Sequence, residues 1–253
     1  EYMSQRKWIP YPRYIFRKTI ALGLIKKYVP PKSQFLEIGG GAGDFSRALI
    51  KLGLSGKIID FSEESYQTIK ELSKQTNNLR IEKANFLEFD EKDKYDLIII
   101  FEVLEHISQE NMVIERINYL LKDGGYALIS VPARKKLWDE WDEFAGHVKR
   151  YEKKELVSLF EKYGISIIRL YSYGFPFLNI LKLFRKLLVN KDELKKCDKI
   201  VNTQKSGSNN FRIPLIWVLF NEWTLFPFIQ ISKIFNRLDF AEGYLCLVRK
   251  NKN

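Results

Sequence analysis

The chain has 253 residues, of which 45% are hydrophobic and 29% are charged, a balance typical of a folded globular protein with one α/β domain and an added subdomain. Its two cysteines, Cys197 and Cys246, exclude a metal or redox motif built on cysteine, and no signal peptide opens the chain, so we expect a reducing, cytoplasmic setting. The formal net charge is +11, with 8 Lys and Arg against 1 acid in residues 1–34, 16 against 21 in 35–150 and 18 against 9 in 151–253. Basic flanks suit an anionic membrane surface, RNA or an anionic substrate, or form an ordinary solvated surface.

The predicted elements alternate along most of the chain. A helix is predicted over 11–29, ended by Pro30 and Pro31. Predicted strands then cover 35–38, 57–61, 79–85, 95–101, 126–131 and 165–171, predicted helices cover 44–52, 63–75, 108–121 and 153–162, and a last strand covers 243–250. This alternation predicts a parallel sheet with helices on both faces, and such sheets bind ligands at the carboxyl ends of their strands.

A long insertion, residues 174–239, separates the last two predicted strands and is far longer than a hairpin loop. An apolar stripe over 177–188, with Lys182 on the other face, predicts a basic amphipathic helix that lies in a membrane interface or packs on the domain. Residues 213–232 are nearly long enough to span a bilayer, but Glu222 stands near the centre and Pro214 and Pro227 interrupt the run. We therefore expect a helix pair that covers the active site.

A glycine-rich turn follows the first predicted strand, in the stretch FLEIGGGAGDF of residues 35–45. Gly39 and Gly41 satisfy a dinucleotide pattern, but Asp44 takes the third position, where an acid would repel a pyrophosphate. The turn instead suits a ligand with an amine, a carboxylate and a ribose. Asp60 ends the second predicted strand, where its carboxylate can accept both ribose hydroxyls.

Five stretches follow one another in a fixed order over residues 35–132, namely LEIGGGAGDF, IIDFS, ANFLEF, YDLIIIFEVLEHI and LKDGGYALISVP. This succession resembles the motifs of class I S-adenosylmethionine-dependent methyltransferases, and in particular the branch with a VLEH loop that includes quinone-biosynthesis O-methyltransferases. The stretch VPARKKLWDEWDEFAGHVKRY, residues 131–151, is similar to bacterial small-molecule methyltransferases whose loop ends in His-x-x-Arg-Tyr.

The resemblance implies a Rossmann-like, seven-stranded class I methyltransferase sheet, mostly parallel with an antiparallel last strand and a helical insertion before it. It implies three parts: an N-terminal helical cap of residues 1–34, a cofactor-binding domain of 35–173 and 240–253, and a lid of 174–239 that binds substrate or faces a membrane.

The cofactor-binding residues that the resemblance implies lie in the loops after the strands. Those at the methionine end of the cofactor would be Glu37, Gly39, Gly40, Gly41, Gly43, Phe101 and Glu102. Those at the ribose and adenine would be Asp60, Phe61, Asn85 and Phe86. Asn85 stands where the family often has Asp, and Gly40 where many relatives have Cys, and we expect both departures to leave cofactor binding intact.

Both histidines of the chain lie in predicted site loops, and His106 and His147 are the candidate bases. The alternatives are a structural histidine at 106 and a binding residue at 147. On the substrate side, Arg150 would bind an anion or form an ion pair with Asp139, Asp142 or Glu143. The aromatic candidates, each with core packing as its alternative, are Tyr151 as a closing residue and Trp138 and Trp141 as a wall. No cluster has metal-ligand spacing, so we expect no metal.

The predicted function is therefore transfer of a methyl group from S-adenosyl-L-methionine to O or N of a small or lipid-like acceptor by in-line displacement. The alternatives are an RNA methyltransferase and a noncatalytic scaffold that retains the cofactor fold. We expect a small-molecule or lipid-like partner, peripheral contact with an anionic membrane and no nucleic acid.

Overall fold

The computed structural model of the protein describes residues 10–74, 76–188 and 220–252. Its strands are β1 Gln34–Ile38, β2 Ser55–Asp60, β3 Leu79–Lys83, β4 Tyr95–Phe101, β5 Leu121–Pro132, β6 Ile165–Tyr173 and β7 Gly243–Lys250. Its α-helices are α1 Pro12–Tyr28, α2 Asp44–Lys51, α3 Glu63–Ser73, α4 Glu110–Leu120, α5 Glu140–Ala145, α6 Lys153–Lys162, α7 Phe177–Leu188 and α8 Glu222–Phe235. Short 3₁₀ turns occupy Leu104–His106 and Lys135–Leu137.

The seven strands form one sheet in the order β3-β2-β1-β4-β5-β7-β6. Neighbouring strands are parallel except that β7 runs antiparallel to both β5 and β6. This confirms the predicted Rossmann-like sheet with its antiparallel last strand. The strand order reverses between β1 and β4, and this switch point is where open α/β sheets bind their ligands.

The core consists of two apolar layers, one on each face of the sheet. In β4, Ile98 and Ile100 join the layer that contains α4 and α6, while Leu97 and Ile99 join the layer that contains α1, α2 and α8. All four side chains are fully buried. The continuous apolar run of β4 is thus the pattern of a parallel strand covered on both faces.

The structure starts β5 earlier than predicted. Helix α4 ends at Leu120, and Leu121 already pairs with Tyr95 of β4. The register then shifts between Tyr95 and Leu97, where Gly124 takes a positive φ of 75°. Residues Asp123–Gly125, between the predicted helix and the predicted strand, are therefore an irregular part of β5.

Helix α8 corrects the interpretation of residues 213–232. Within the described part, the helix begins at Glu222, and the Asn221 side chain caps it by accepting the backbone N–H groups of Trp223 and Thr224 at 2.9 and 3.1 Å. Glu222 is therefore a first-turn residue, where the helix dipole favours a carboxylate, and it pairs with Lys18 of α1 at 3.0 Å. No helix of the described residues has the length and apolar character needed to cross a membrane. Pro214 and Cys197 lie outside the described residues.

Helix α7 forms where it was predicted, and its buried side contains Leu178 of the apolar stripe together with Lys182. Lys182 is buried, 3.1 Å from Asp139 and 3.6 Å from Glu242, and it donates to the carbonyl of Leu137. Ile180, Leu183 and Phe184 are exposed. Apolar contacts of Leu178 and the ion pairs of Lys182 therefore both attach the helix to the domain, while another part of its apolar stripe faces outward.

Candidate active site

The glycine turn after β1 forms a bare backbone cradle at the switch point. Gly39, Gly41 and Gly43 have positive φ angles of 71°, 55° and 71°, which L side chains rarely adopt. A Cβ on Gly39 would lie 2.5 Å from Val103 Cγ2, and one on Gly40 would lie 2.4 Å from Ile58 Cγ2. The turn leads directly into α2, so its backbone N–H groups and the helix N-terminus face the same crevice.

Two buried carboxylates stand on either side of this turn. Glu37 accepts a hydrogen bond from Ser46 Oγ, and burial raises the pKa of Glu37 to about 7 in spite of that bond. Asp60 accepts the backbone N–H groups of Gly41 at 3.2 Å and Ser62 at 2.9 Å. Burial raises the pKa of Asp60, against the effect of these donors. Asp60 thus fixes the glycine turn, and each of its oxygens keeps a second lone pair for a ligand hydroxyl.

The residues predicted at the adenine lie on the loops after β2 and β3. Phe61 follows Asp60 and is 52% exposed. Asn85 is exposed, and its side-chain oxygen accepts the N–H of Leu87 at 3.1 Å. The Phe86 ring packs in the core, with Arg116 over its face, because it is apolar and lies beneath the loop. The Phe86 side chain thus faces the core, and the place of this residue at the adenine edge stays a prediction.

Glu102 lies at the carboxyl end of β4 with a positive φ of 54°. Its carboxylate is 2.7 Å from Arg13 and 3.2 Å from Arg17 of α1, and it accepts a hydrogen bond from Ser130 Oγ. Burial opposes its ionisation, but the two arginines outweigh burial and hold the pKa of Glu102 below its usual range. Phe101 packs edge-on against Phe45 at 4.9 Å.

The sequence analysis missed the two arginines as site residues. The available signal was a pair of cations, one turn apart, within an otherwise apolar helical pattern. Arg17 Nε is buried without a hydrogen-bond partner in the described chain, which leaves a donor for an anionic ligand group beside Glu102.

Helix α1 also explains the acid at the third glycine position. Asp44 accepts hydrogen bonds from the Tyr14 hydroxyl and Lys18 Nζ, both at 2.8 Å. The carboxylate is therefore part of the contact between α1 and the start of α2.

The two histidines come together at the carboxyl edge of β4. Their rings meet edge to face with centroids 4.9 Å apart. His106 Nδ1 lies 3.2 Å from the carbonyl oxygen of Gly146, and His147 Nδ1 lies 2.8 Å from Asp142 Oδ1. A carbonyl can only accept, so His106 carries its proton on Nδ1. Burial lowers the pKa of His106.

Arg150 is buried and does not face solvent, and it contacts the Asp142 carboxylate that accepts from His147. Its Nε donates to both oxygens of Asp142 at 2.8 and 2.9 Å, and its Nη1 donates to the carbonyl of Ala133. Only 2% of Arg150 is exposed. Burial opposes the ionisation of Asp142, but His147 and Arg150 hold its pKa well below the usual range. The predicted substrate anion is therefore replaced by a buried ion pair with Asp142, because that carboxylate caps α5 directly beside the arginine.

Glu105 lies beside the two histidines, and the sequence analysis did not predict it as a site residue. It is fully buried, and neither carboxylate oxygen has a hydrogen-bond partner in the described chain. Burial and the charge of Glu102 raise the pKa of Glu105 to about 8. One ligand atom each from Glu105, His106 and His147 lie within 4.8 Å of one another. Sequence spacing did not reveal this group because the loop of His147 is distant in the chain, although the VLEH stretch contains the other two.

The three aromatic residues predicted on the substrate side lie in different environments. Tyr151 is fully buried, and its hydroxyl points to the carbonyl of Leu104 at 3.4 Å. It packs as a core residue with Lys149 Nζ 4.5 Å from its ring centroid, which favours the packing alternative, and its role as a closing residue stays a prediction. Trp138 is partly exposed, with its indole N–H 3.5 Å from Glu143, and Trp141 packs on Phe144. Their role as an aromatic wall stays a prediction.

Comparison with known proteins agrees with this geometry. A family model described as a methyltransferase domain matches residues 8–170. The fold resembles that of the N-methyltransferase NodS from Bradyrhizobium japonicum WM9, solved in complex with S-adenosyl-L-homocysteine, with a TM-score of 0.60, 16% identity and coverage of 98% of this chain and 93% of that one. The chain belongs to this methyltransferase-domain family, and its sheet has the strand arrangement of class I S-adenosylmethionine-dependent methyltransferases.

Curated relatives match a shorter segment. The ubiquinone biosynthesis O-methyltransferase of Pelagibacter ubique is 31% identical over 99 residues, which are 38% of this chain and 41% of that protein. The ribosomal protein L11 methyltransferase of Dictyoglomus thermophilum is 30% identical over 114 residues, 44% of this chain and 36% of that protein. The chain thus spans less than half the length of these relatives.

Proposed function

We propose that the protein transfers a methyl group from S-adenosyl-L-methionine to an oxygen or nitrogen atom of a small or lipid-like acceptor. The observation that carries this proposal is the glycine cradle at the switch point, which excludes a Cβ at Gly39 and Gly40 and is fixed from beneath by Asp60. The names of the relatives described above favour neither RNA methylation nor a noncatalytic scaffold, and they include both an O- and an N-methyltransferase.

The residues around the cradle suit the polar groups of this cofactor. Glu37 and the glycine N–H groups would meet the methionine amine and carboxylate, and the unpartnered Arg17 Nε adds a donor for that carboxylate. Asp60 would accept from the ribose, and the exposed ring of Phe61 would cover the adenine. Asn85 and the Phe86 backbone would complete the adenine edge.

The protein's contribution to the reaction is alignment. The bound cofactor supplies a methyl group that is already activated on a sulfonium sulfur, so the acceptor must mainly be held in line with it. Phe101 and Glu102 end β4 beside the glycine turn, and the Glu102 carboxylate is itself held by Arg13 and Arg17. We place the acceptor between this end of β4 and the pair of His106 and His147.

Both histidines are suited to act on the acceptor. Asp142 accepts from His147 Nδ1, which leaves Nε2 as the basic atom, and the Gly146 carbonyl does the same for His106. A histidine held in this way binds a proton or a metal ion at Nε2.

The acceptor side suggests a lipid-like molecule, because α7 and α8 expose apolar side chains. On α8, Leu225 and Ile229 are buried, while Trp223 is 89% exposed and Ile234 76% exposed. Phe177 of α7 stacks on Phe228 of α8 at 4.3 Å, so the two helices lie side by side. We define the insertion face by its exposed apolar residues, Ile180, Leu183, Phe184, Trp223, Phe226, Ile231 and Ile234. An apolar face with basic residues such as Lys233 near it suits peripheral contact with an anionic membrane.

Calorimetric titration with S-adenosyl-L-homocysteine tests the proposal. We expect micromolar-range binding to the wild type and its loss in Asp60→Ala, with Asp90→Ala, an exposed aspartate, as the matched control. Thermal unfolding of each variant shows whether the turn still folds. Folded wild-type protein that does not bind the product would overturn the proposal.

A further inference from the structure

We infer that Glu105, His106 and His147 bind one divalent transition-metal cation at the carboxyl end of β4. Each side chain offers one ligand atom, and these atoms lie within 4.8 Å of one another. Two imidazoles and one carboxylate are a donor set that Zn²⁺ takes in sites with three protein ligands and an open position, and other first-row cations also accept it.

The outer hydrogen bonds of both histidines match those of metal ligands. Ligating histidines almost always donate their second ring N–H to a carboxylate or a backbone carbonyl, which fixes the tautomer. His147 Nδ1 is 2.8 Å from Asp142, and His106 Nδ1 is 3.2 Å from the carbonyl of Gly146. Asp142 is in turn fixed by Arg150 on both oxygens. Each Nε2 therefore keeps its lone pair for a ligand.

Glu105 supplies an independent observation. Its carboxylate is fully buried, and neither oxygen has a hydrogen-bond partner in the part of the chain that the structure describes. Buried polar atoms without a partner are rare, and leaving a carboxylate buried without a partner costs more free energy than leaving a neutral group so. The arginines nearby are paired elsewhere, Arg13 and Arg17 with Glu102 and Arg150 with Asp142. A cation between Glu105 and the histidines would satisfy it.

The separation of the ligand atoms also suits a shared ion. His147 Nε2 is 3.8 Å from Glu105 Oε1, which is too long for a direct hydrogen bond. Two ligands that bind one tetrahedral ion at about 2.1 Å are about 3.4 Å apart. A small closure of the two side chains would therefore bring both atoms to bonding distance.

The effect of the cation on the reaction depends on the proposed methyl transfer, whereas the inference that a cation binds does not depend on it. A bound cation with a free coordination position lowers the pKa of a coordinated hydroxyl, so the site would favour an oxygen acceptor over an amine. The predicted absence of a metal rested on sequence spacing alone, and the folded arrangement leads to the opposite inference.

Metal titration of the full chain tests the inference. Protein freed of metal with a chelator is titrated with Zn²⁺ by calorimetry and with Co²⁺ by visible absorption. We expect one ion per chain, with affinity reduced at least ~10-fold in Glu105→Gln and in His147→Gln. Glu115→Gln, at an exposed position of α4, should bind as the wild type does.

Thermal unfolding without metal separates a binding defect from a folding defect, because Glu105→Gln keeps the side-chain shape and replaces a carboxyl group that accepts no hydrogen bond in the described chain. Folded wild-type protein that binds no ion overturns the inference, as does binding that both variants retain. S-adenosyl-L-homocysteine binding is measured on the same samples. Metal binding without it would overturn the proposed function and leave the metal site standing.

Discussion

Arg13 of α1 and Glu102 at the end of β4 form an ion pair with nitrogen and oxygen 2.7 Å apart. Together with Arg17, this pair fastens the N-terminal helix across the carboxyl end of the sheet, beside the glycine turn. The Glu102 carboxylate therefore adds two ion pairs to the apolar contacts that attach α1 to the sheet.

We predict that Glu102→Gln loosens α1. The substitution keeps the shape of the side chain but leaves two guanidinium groups without a carboxylate, and leaving buried charged groups without a partner costs about 1–3 kcal/mol each. Amide hydrogen exchange should become faster over Pro12–Tyr28, while α6, on the other face of the sheet, serves as the internal control. Unchanged protection of α1 would mean that apolar packing alone holds it.

A second prediction compares two glycines. Gly40→Ala would bring a Cβ to 2.4 Å from Ile58 Cγ2, and overpacking of this kind costs about 1–3 kcal/mol. Gly23→Ala in α1 meets no atom within 4 Å, so it should stabilise the helix by about 0.5–1 kcal/mol. Urea unfolding measures both free energies, and equal effects of the two substitutions would contradict the tight cradle.

The third prediction concerns the buried pair of Asp142 and Arg150. Asp142→Ala leaves a guanidinium buried without its carboxylate, and breaking a buried pair in this way costs about 3–5 kcal/mol of unfolding free energy. Glu143→Ala, one residue further along α5 and exposed, should stay within about 0.5 kcal/mol of the wild type. A destabilisation of Asp142→Ala no larger than that of the control would show that water reaches Arg150.

Much of the fold could be predicted because its signals are local. The apolar run of residues 95–101 and the stretch 243–250 form strands with the predicted bounds, since a covered strand needs nothing beyond its own pattern. The glycine turn and Asp60 are likewise adjacent in sequence to the strands that position them. The sequence analysis placed Glu222 near the centre of an apolar segment and so missed the helix start, although Asn221 and Thr224 form a capping box that marks it.

The histidine cluster could not be predicted because its contacts are long-range. Glu105 and His106 meet His147 and Gly146 only when the loops after β4 and β5 fold together. The burial of Lys182 in α7 was missed for the same reason, since apolar periodicity cannot anticipate its ion pairs with Asp139 and Glu242.

The fourth prediction is a pH dependence carried by Glu91. Its carboxylate is 2.6 Å from Lys57 Nζ and accepts the Tyr95 hydroxyl at 2.8 Å. Burial would raise the pKa of Glu91, but Lys57 and the other donors outweigh burial and lower it to about 2. The unfolded value is about 4.3, so the group stabilises the fold above that pH, and the contribution is lost as the pH falls through the folded value.

The difference in unfolding free energy between the wild type and Glu91→Gln should therefore be largest near about pH 6 and shrink toward about pH 3. Urea unfolding at both pH values measures it, with Glu88→Gln as an exposed control on the same loop. A difference that is constant with pH would show that Glu91 ionises equally easily in the folded and unfolded chain.

The last prediction tests the insertion face. Trp223→Ser combined with Ile234→Ser removes two exposed apolar side chains of α8, and it should reduce sedimentation with anionic phospholipid vesicles several-fold, because interfacial binding scales with buried apolar area. Thermal stability should change little, since neither side chain is buried. Met112→Ser is the matched control, because Met112 is exposed on α4, which packs on the opposite face of the sheet. Equal sedimentation of all three proteins would show that the insertion face does not contact lipid, and retained binding at high salt would assign the attraction to apolar burial rather than to the basic residues.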